Sequence, residues 1–155
     1  MPRRKKDEEE IEWPSNPDRL AHAIFAASLA YSLGMDYIGL ATAIAFALLP
    51  DLDIFFGHRI VLHNIIMAIL IPAVITWAAP AIPLRAALLG YMSHLALDIL
   101  SPTGIAILWP VFNTMISVPF VNIFIKSGVR TLAFSLVLAF LLNYNKILPF
   151  LAIGK

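Results

Sequence analysis

The chain has 155 residues, of which 60% are hydrophobic and only 14% charged, with a mean hydropathy of +0.83. That balance excludes an ordinary soluble domain of this length and points to an integral membrane protein. A net charge of +1 excludes nucleic acid as a main partner, and the absence of cysteine excludes disulfides, thiolate ligands and a cysteine nucleophile while leaving His/Asp metal sites open.

Residues 1 to 16 hold much of the charge, in the runs "RRKK" and "DEEE". Acidic residues and "WPSNPD", not an apolar stretch, follow the basic run, so the segment reads as a mobile charged tail and not as a signal peptide. Residues 17 to 151 then read as one transmembrane domain. The first helix is predicted over about 17 to 33, with Asn16 or Asp18 as its cap and Pro17 tolerated in the first turn. "SLGMD" breaks the apolar run, and a second helix follows over about 37 to 49. Pro50 is expected to push Leu49 out of helical geometry, which sets Asp51 and Asp53 in a non-helical segment just past the helix end. The third helix is predicted over about 60 to 78, and "PAIP" makes the next turn. The fourth covers about 84 to 100 and is stopped by "SPTG"; the last, about 128 to 150, is the most lipid-like stretch. Between them, "GIAILWPVFNTMISVPFVNIFIKSG" is apolar but broken by Pro110 and Pro119. It is expected to form short extended or re-entrant pieces covered by protein, since irregular backbone survives at membrane depth only in that way. The fold class is therefore an all-α membrane protein, a compact bundle of about five transmembrane helices with an irregular apolar segment between the fourth and fifth. The first two helices are short for a bilayer core of about 30 Å, which calls for about 20 residues.

The few ionisable residues outside the tail converge. If the helices are successive passes, His22 lies near the end where the first helix begins, and the second helix brings Asp51 and Asp53 back to that end. The turn keeps His58 and Arg59 there, His63 falls in the first turn of the third helix, and His94 and Asp98 lie in the last two turns of the fourth. Taken singly, His22 reads as an interfacial residue, "DLD" as a solvated turn and His63 with Asn64 as a helix-to-helix hydrogen bond. His94 and Asp98 resist such a reading, because a carboxylate inside a membrane helix costs about 2.5 to 3.5 kcal/mol and is functional by default. Their i, i+4 spacing puts both on one helical face, as two ligands of a metal or a ligand with its orienting partner.

As an ordered set, "LLPDLD", "GHR" followed by His63, and "SHLALD" followed by "SPTGIAILWP" resemble the YdjM-like family of membrane-bound metal-dependent hydrolases, with His22 in "RLAHAIFAASLAYSLG" matching its early histidine. The resemblance covers about residues 18 to 112, and Asn64 stands where the family pattern has Ser or Thr. The family is similar in its helical character and His/Asp pattern to zinc-dependent phospholipase C. The resemblance implies a hydrolase of a phosphoester or phosphodiester in a lipid or lipid-linked substrate. It would hold one to three divalent ions, zinc above all, through His22, Asp51, Asp53, His58, His63, His94 and Asp98. Asp51, Asp53 and Arg59 would serve in catalysis, Arg59 by holding phosphate oxygens.

The basic residues fall mostly at the His/Asp end: Arg3, Arg4, Lys5, Lys6, Arg19, Arg59, Lys126 and Arg130, against Arg85, Lys146 and Lys155. The positive-inside rule then puts the site and the N-terminus in the cytoplasm, in a multi-pass protein of the cell membrane whose partners are membrane lipids. Two other classes fit the same residues. An ion- or proton-coupled carrier would use the His/Asp cluster on a pathway and needs polar residues reaching the opposite side; a non-catalytic adaptor would act through the tail. Small residues such as Ala23, Ala26, Ala27 and Ala30 permit close helix packing within or between subunits.

Overall fold

The computed structural model describes residues 16–55, 60–118 and 128–152. The tail 1–15, His58, Arg59 and the segment 119–127 with Lys126 lie outside the described residues, as does Lys155. Among the described residues the chain is all helical: α1 Asn16–Ser32, α2 Tyr37–Leu48, α3 Ile65–Ala78, α4 Leu84–Ile99 and α5 Gly128–Ala152, with no strand beyond one isolated bridge between Ile105 and Ile116. Of these helices only α5, over Val129–Leu148, is long and apolar enough to cross a bilayer by length and composition alone.

Local chemistry fixes the breaks. Gly34, at φ +71°, ends α1 in a left-handed turn, and the Asp36 side chain then caps α2 by accepting the Gly39 N–H at 2.8 Å. Leu49 stays in the right-handed helical region (φ −67°, ψ −39°), contrary to the expected push from Pro50. The proline instead opens a 3-10 segment, Pro50–Phe55, that continues the chain from α2, because a proline is tolerated in a first helical turn where its missing N–H is not needed. The third helix starts at Ile65, five residues later than the sequence suggests, because Asn64 caps it by accepting the Met67 N–H at 3.0 Å. His63 is thereby left ahead of α3, not in its first turn.

α4 is the hub. It packs on α1, α2 and α3, while α1 also packs on α2 and α5. The tightest crossing is between α2 and α4. A Cβ on Gly90 would lie 2.1 Å from the carbonyl oxygen of Ala43, so only glycine lets the two backbones meet. Ala26 and Ala30 of α1 are fully buried against Ala43 and Ala47 of α2, which assigns that alanine stripe to packing within the chain. Outward-facing Ile66, Ile69, Leu70 and Val74 on α3, and Leu136, Val137, Phe140 and Leu141 on α5, leave apolar flanks that water does not favour.

α5 runs parallel to α1. Asn143 Nδ2 donates to Ser28 Oγ at 2.8 Å, and Lys146 Nζ donates to the terminal carbonyls of Tyr31 and Ser32 at 2.6 and 3.1 Å, a constant offset along both helices. The connection from α4 to α5 therefore begins and ends at the same end of the bundle. Its described part, residues 100–118, holds no helix and is clipped back by Ile65 N–H to Ile107 O and Val118 N–H to Ile99 O. The expected cover of protein, however, extends only to about residue 107: Val111 and Phe112 are 70% and 61% exposed, because the return after Pro110 is held by backbone bonds to Ile105 and Ile99 and not by packing on a helix.

Gly90→Ala is expected to cost about 1 to 3 kcal/mol by forcing α2 and α4 apart. A lower thermal unfolding midpoint in detergent checks this; an unchanged midpoint would mean the crossing is not the constraint it looks to be.

Candidate metal centre

Six of the seven candidate ligands meet at one end of the bundle, and all six are buried: His22, Asp51, Asp53, His63, His94 and Asp98 expose 0 to 6% of their surface. The seventh, His58, lies outside the described residues together with Arg59. The "DLD" turn is inverted relative to a solvated one. Both aspartates point inward, while Leu52 between them is 60% exposed. His22 is no interfacial residue either, since its ring stacks on His94 with centroids 3.8 Å apart and its Nε2 lies 3.6 Å from Asp98 Oδ1.

The orientation of two imidazoles sets the chemistry. His94 Nδ1 lies 2.6 Å from the Ala47 carbonyl oxygen, which can only accept, so this nitrogen carries the proton. His63 Nδ1 lies 2.9 Å from Asp53 Oδ2, again an acceptor. Each ring therefore turns its Nε2 toward the centre, and these two nitrogens lie 3.0 Å apart. Asp98 Oδ2 adds an oxygen 3.2 Å from His63 Nε2 and 3.3 Å from His94 Nε2, and Asp51 Oδ1 lies 3.8 Å from the latter. Ligand atoms of His22, His94 and Asp98 lie within 4.8 Å of one another, as do those of Asp51, His63 and His94. Two overlapping triads thus share His94.

Converging lone pairs need a positive charge between them. Burial favours neutral His63, but its hydrogen bonds with Asp53 and Asp98 outweigh that and raise its pKa to about 9. Burial likewise pushes the Asp51 carboxyl above the usual carboxylate range, and its buried Oδ2 accepts no hydrogen bond. A single proton relieves one facing pair only. A divalent cation with nitrogen and oxygen ligands relieves all of them, and the donor set of three imidazoles and two carboxylates suits zinc or a similar ion.

Asp53 stands one step back from this centre. It holds His63 through Nδ1 and accepts the Leu62 N–H at 3.3 Å, the position from which a carboxylate fixes a ligating imidazole's tautomer and direction. Four further residues take part that sequence reasoning passes over or treats otherwise. The buried Tyr91 of α4 donates its hydroxyl to the Leu62 carbonyl at 2.8 Å and so anchors the segment that carries His63. Asn64 donates Nδ2 to the Ile60 and Val61 carbonyls, folding the same segment. Arg19 lies at the rim, 40% exposed, its Nε 4.0 Å from Asp51 Oδ2. Its spacing of three from His22 on α1 is the signal that could have marked it. Ser101, in "SPTG", donates to the Asp98 carbonyl at 2.7 Å and closes the end of α4 under the site.

The family described as YdjM inner membrane protein matches residues 18–153. Two proteins named inner membrane protein YdjM, from Escherichia coli (strain K12) and Shigella flexneri, are each 36% identical over 61 residues, an alignment that covers 36% of this chain and 31% of theirs. The chain thus spans about a third of the length of the curated relatives it matches. No solved structure matches it.

Asp53→Asn is expected to weaken metal binding by about 10- to 100-fold with the fold intact. Tyr91→Phe, which removes the anchor on Leu62, should give a smaller loss. Metal titration of the purified variants checks both, and wild-type affinity in Asp53→Asn would remove its orienting role.

Proposed function

We propose that this chain, which belongs to the YdjM inner membrane protein family, is a membrane-embedded metal-dependent hydrolase acting on a phosphoester or phosphodiester of a lipid or lipid-linked substrate. The observation that carries the reading is the pair of Nε2 atoms of His63 and His94 facing each other at 3.0 Å, each with its other nitrogen already bonded to an acceptor. Such an arrangement suits a cation, which would take up both Nε2 atoms and offset the cost of burying the carboxylates around them.

His22, His63, His94, Asp51 and Asp98 would hold one or more divalent ions, with zinc the first choice for this ligand set. When bound, such an ion supplies Lewis acidity, both toward water and toward a phosphoryl oxygen. The chain's own residues do the rest. Asp53 and the Ala47 carbonyl keep the two imidazoles in the ligating tautomer. Asp51, the least satisfied carboxylate of the group, is the base best placed to accept a proton from an attacking water. Arg19, at the rim and partly solvated, is positioned to meet a phosphate, alongside the sequence-derived candidate Arg59.

The setting supports a lipid substrate. The helices other than α5 have 12 to 17 residues, so at 1.5 Å each they fall short of a bilayer core of about 30 Å. A five-pass bundle built from them leaves its polar end sunk at headgroup depth in the inner membrane. Arg19 and Arg130 lie at the site's end and Arg85 and Lys146 at the other, so it is the basic residues of the tail that tip the balance and support a cytoplasmic site.

Elemental analysis of the detergent-purified protein is expected to find near-stoichiometric zinc or another transition metal in the wild type and its loss in Asp98→Ala. Asp51→Asn should lose hydrolysis of lipid phosphodiesters without unfolding, and retained hydrolysis would remove the role assigned to it. For the orientation, protease added outside sealed inverted inner-membrane vesicles should cut the N-terminal tail, whereas cutting only in right-side-out vesicles would reverse the topology.

A further inference from the structure

The end of the bundle opposite the His/Asp cluster carries a second feature. A cavity of about 590 Å³ opens there, within the range of about 300 to 1,000 Å³ of sites that bind drug-sized ligands. Leu33 and Met35, from the turn between α1 and α2, close one side of it; Leu84, Leu88 and Met92 of α4 close another. Its lining is apolar except for Arg85. The α4 residues recur at a spacing of four, so the cavity is a groove along one face of that helix, from Arg85 near the start to Met92 almost two turns further on.

The depth of this groove is marked by aromatic residues. Tyr31 at the end of α1, Tyr37 at the start of α2, Trp77 in the last turn of α3 and Tyr144 on α5, two residues before the Lys146 that bonds Tyr31, are 44%, 91%, 84% and 44% exposed, all at this end. Exposed Tyr and Trp in one layer mark the level of lipid headgroups. Arg85 therefore stands at headgroup level with the groove leading from it toward the bilayer centre. It is exposed, and among the described residues it forms no ion pair. The positive end of the α4 dipole adds to the same field.

We propose that this groove is a binding site for one anionic glycerophospholipid of the leaflet opposite the metal centre. One acyl chain lies along α4 between Leu33 and Leu88, and the headgroup charge is held by Arg85. An isolated cation over an apolar slot matches that ligand in both parts, since burial of the chain gives affinity and the guanidinium gives preference for net negative charge. A neutral lipid would satisfy the slot and not the arginine. The site is independent of the His/Asp cluster, which lies about 14 Å along α4 from Arg85 to His94.

Native mass spectrometry of the detergent-purified full chain, titrated separately with dioleoyl phosphatidylglycerol and dioleoyl phosphatidylcholine, tests this. The wild type is expected to bind the first phosphatidylglycerol about fivefold more tightly than phosphatidylcholine. Arg85→Gln should abolish that preference, and Leu88→Trp, which fills the groove, should weaken the first binding of both lipids. Lys146→Gln, a basic residue of the same layer, and Asp98→Ala, in the metal centre, should each keep the preference. Equal affinities in the wild type, a preference that survives Arg85→Gln, or one lost equally in Lys146→Gln or Asp98→Ala would overturn the proposal.

Discussion

The carbonyl oxygen of Ala43 occupies the space that any side chain at position 90 would need, and the rest of the architecture depends on that contact. Because α4 touches α2 backbone to backbone at Gly90, the next turn of α4 brings His94 within 2.6 Å of the Ala47 carbonyl. That hydrogen bond uses up Nδ1, and the ring can then present only Nε2 to the centre. The same closeness lets the 3-10 segment that leaves α2 deliver Asp51 to within 3.8 Å of His94 Nε2. A slightly wider crossing would leave the same residues in the same helices without a common centre.

Pass order alone was enough to read the convergence of the polar residues, because it needs only the direction of each helix and not its exact ends. The helices themselves were legible for a related reason: their breaks are made by Gly34, Asp36, Asn64 and the prolines, whose conformational preferences are local. What the sequence hid is the division of labour. Asp51 and Asp53, two residues apart, look equivalent in "LLPDLD". A 3-10 turn in place of the expected non-helical segment sends them to different partners, one into the centre and one behind His63. Tyr91 was hidden because a tyrosine in an apolar helix carries no sign of which carbonyl its hydroxyl will meet. The start of α3 was misjudged because apolar residues continue through 60 to 62, and hydrophobicity does not register that Asn64 folds that stretch onto itself before capping the helix.

Burial turns the ordinary explanations of these residues around. A histidine at a membrane helix start and a proline-aspartate turn are each unremarkable when they meet water or headgroups. Here three imidazoles and three carboxylates are withdrawn from solvent together, with a leucine exposed between two of the acids. Protein interiors tolerate such a group when each member is satisfied, and a half-satisfied polar network is worse than an apolar core. Within this group, the bonds of His63 to Asp53 and of His94 to the Ala47 carbonyl supply part of that satisfaction.

The bundle differs in character from one end to the other, which matters for the carrier reading of its residues. A carrier must open its site alternately to both sides, which calls for polar groups along the path between them. Past the His/Asp cluster, the interior of α1, α2 and α4 is built mainly of small and apolar residues: Ala26, Ala30, Ala43 and Ala47 are completely buried and Gly90 admits no side chain, with Ser28, Thr42 and Ser93 buried among them. The polar groups that continue along α5, Ser135 and Asn143, sit between α1 and α5 and are themselves buried, Asn143 being bonded to Ser28. They join two helices and lead nowhere. The polar cluster therefore sits at one end of the bundle, and one turn beneath it the backbones of α2 and α4 meet directly at Gly90.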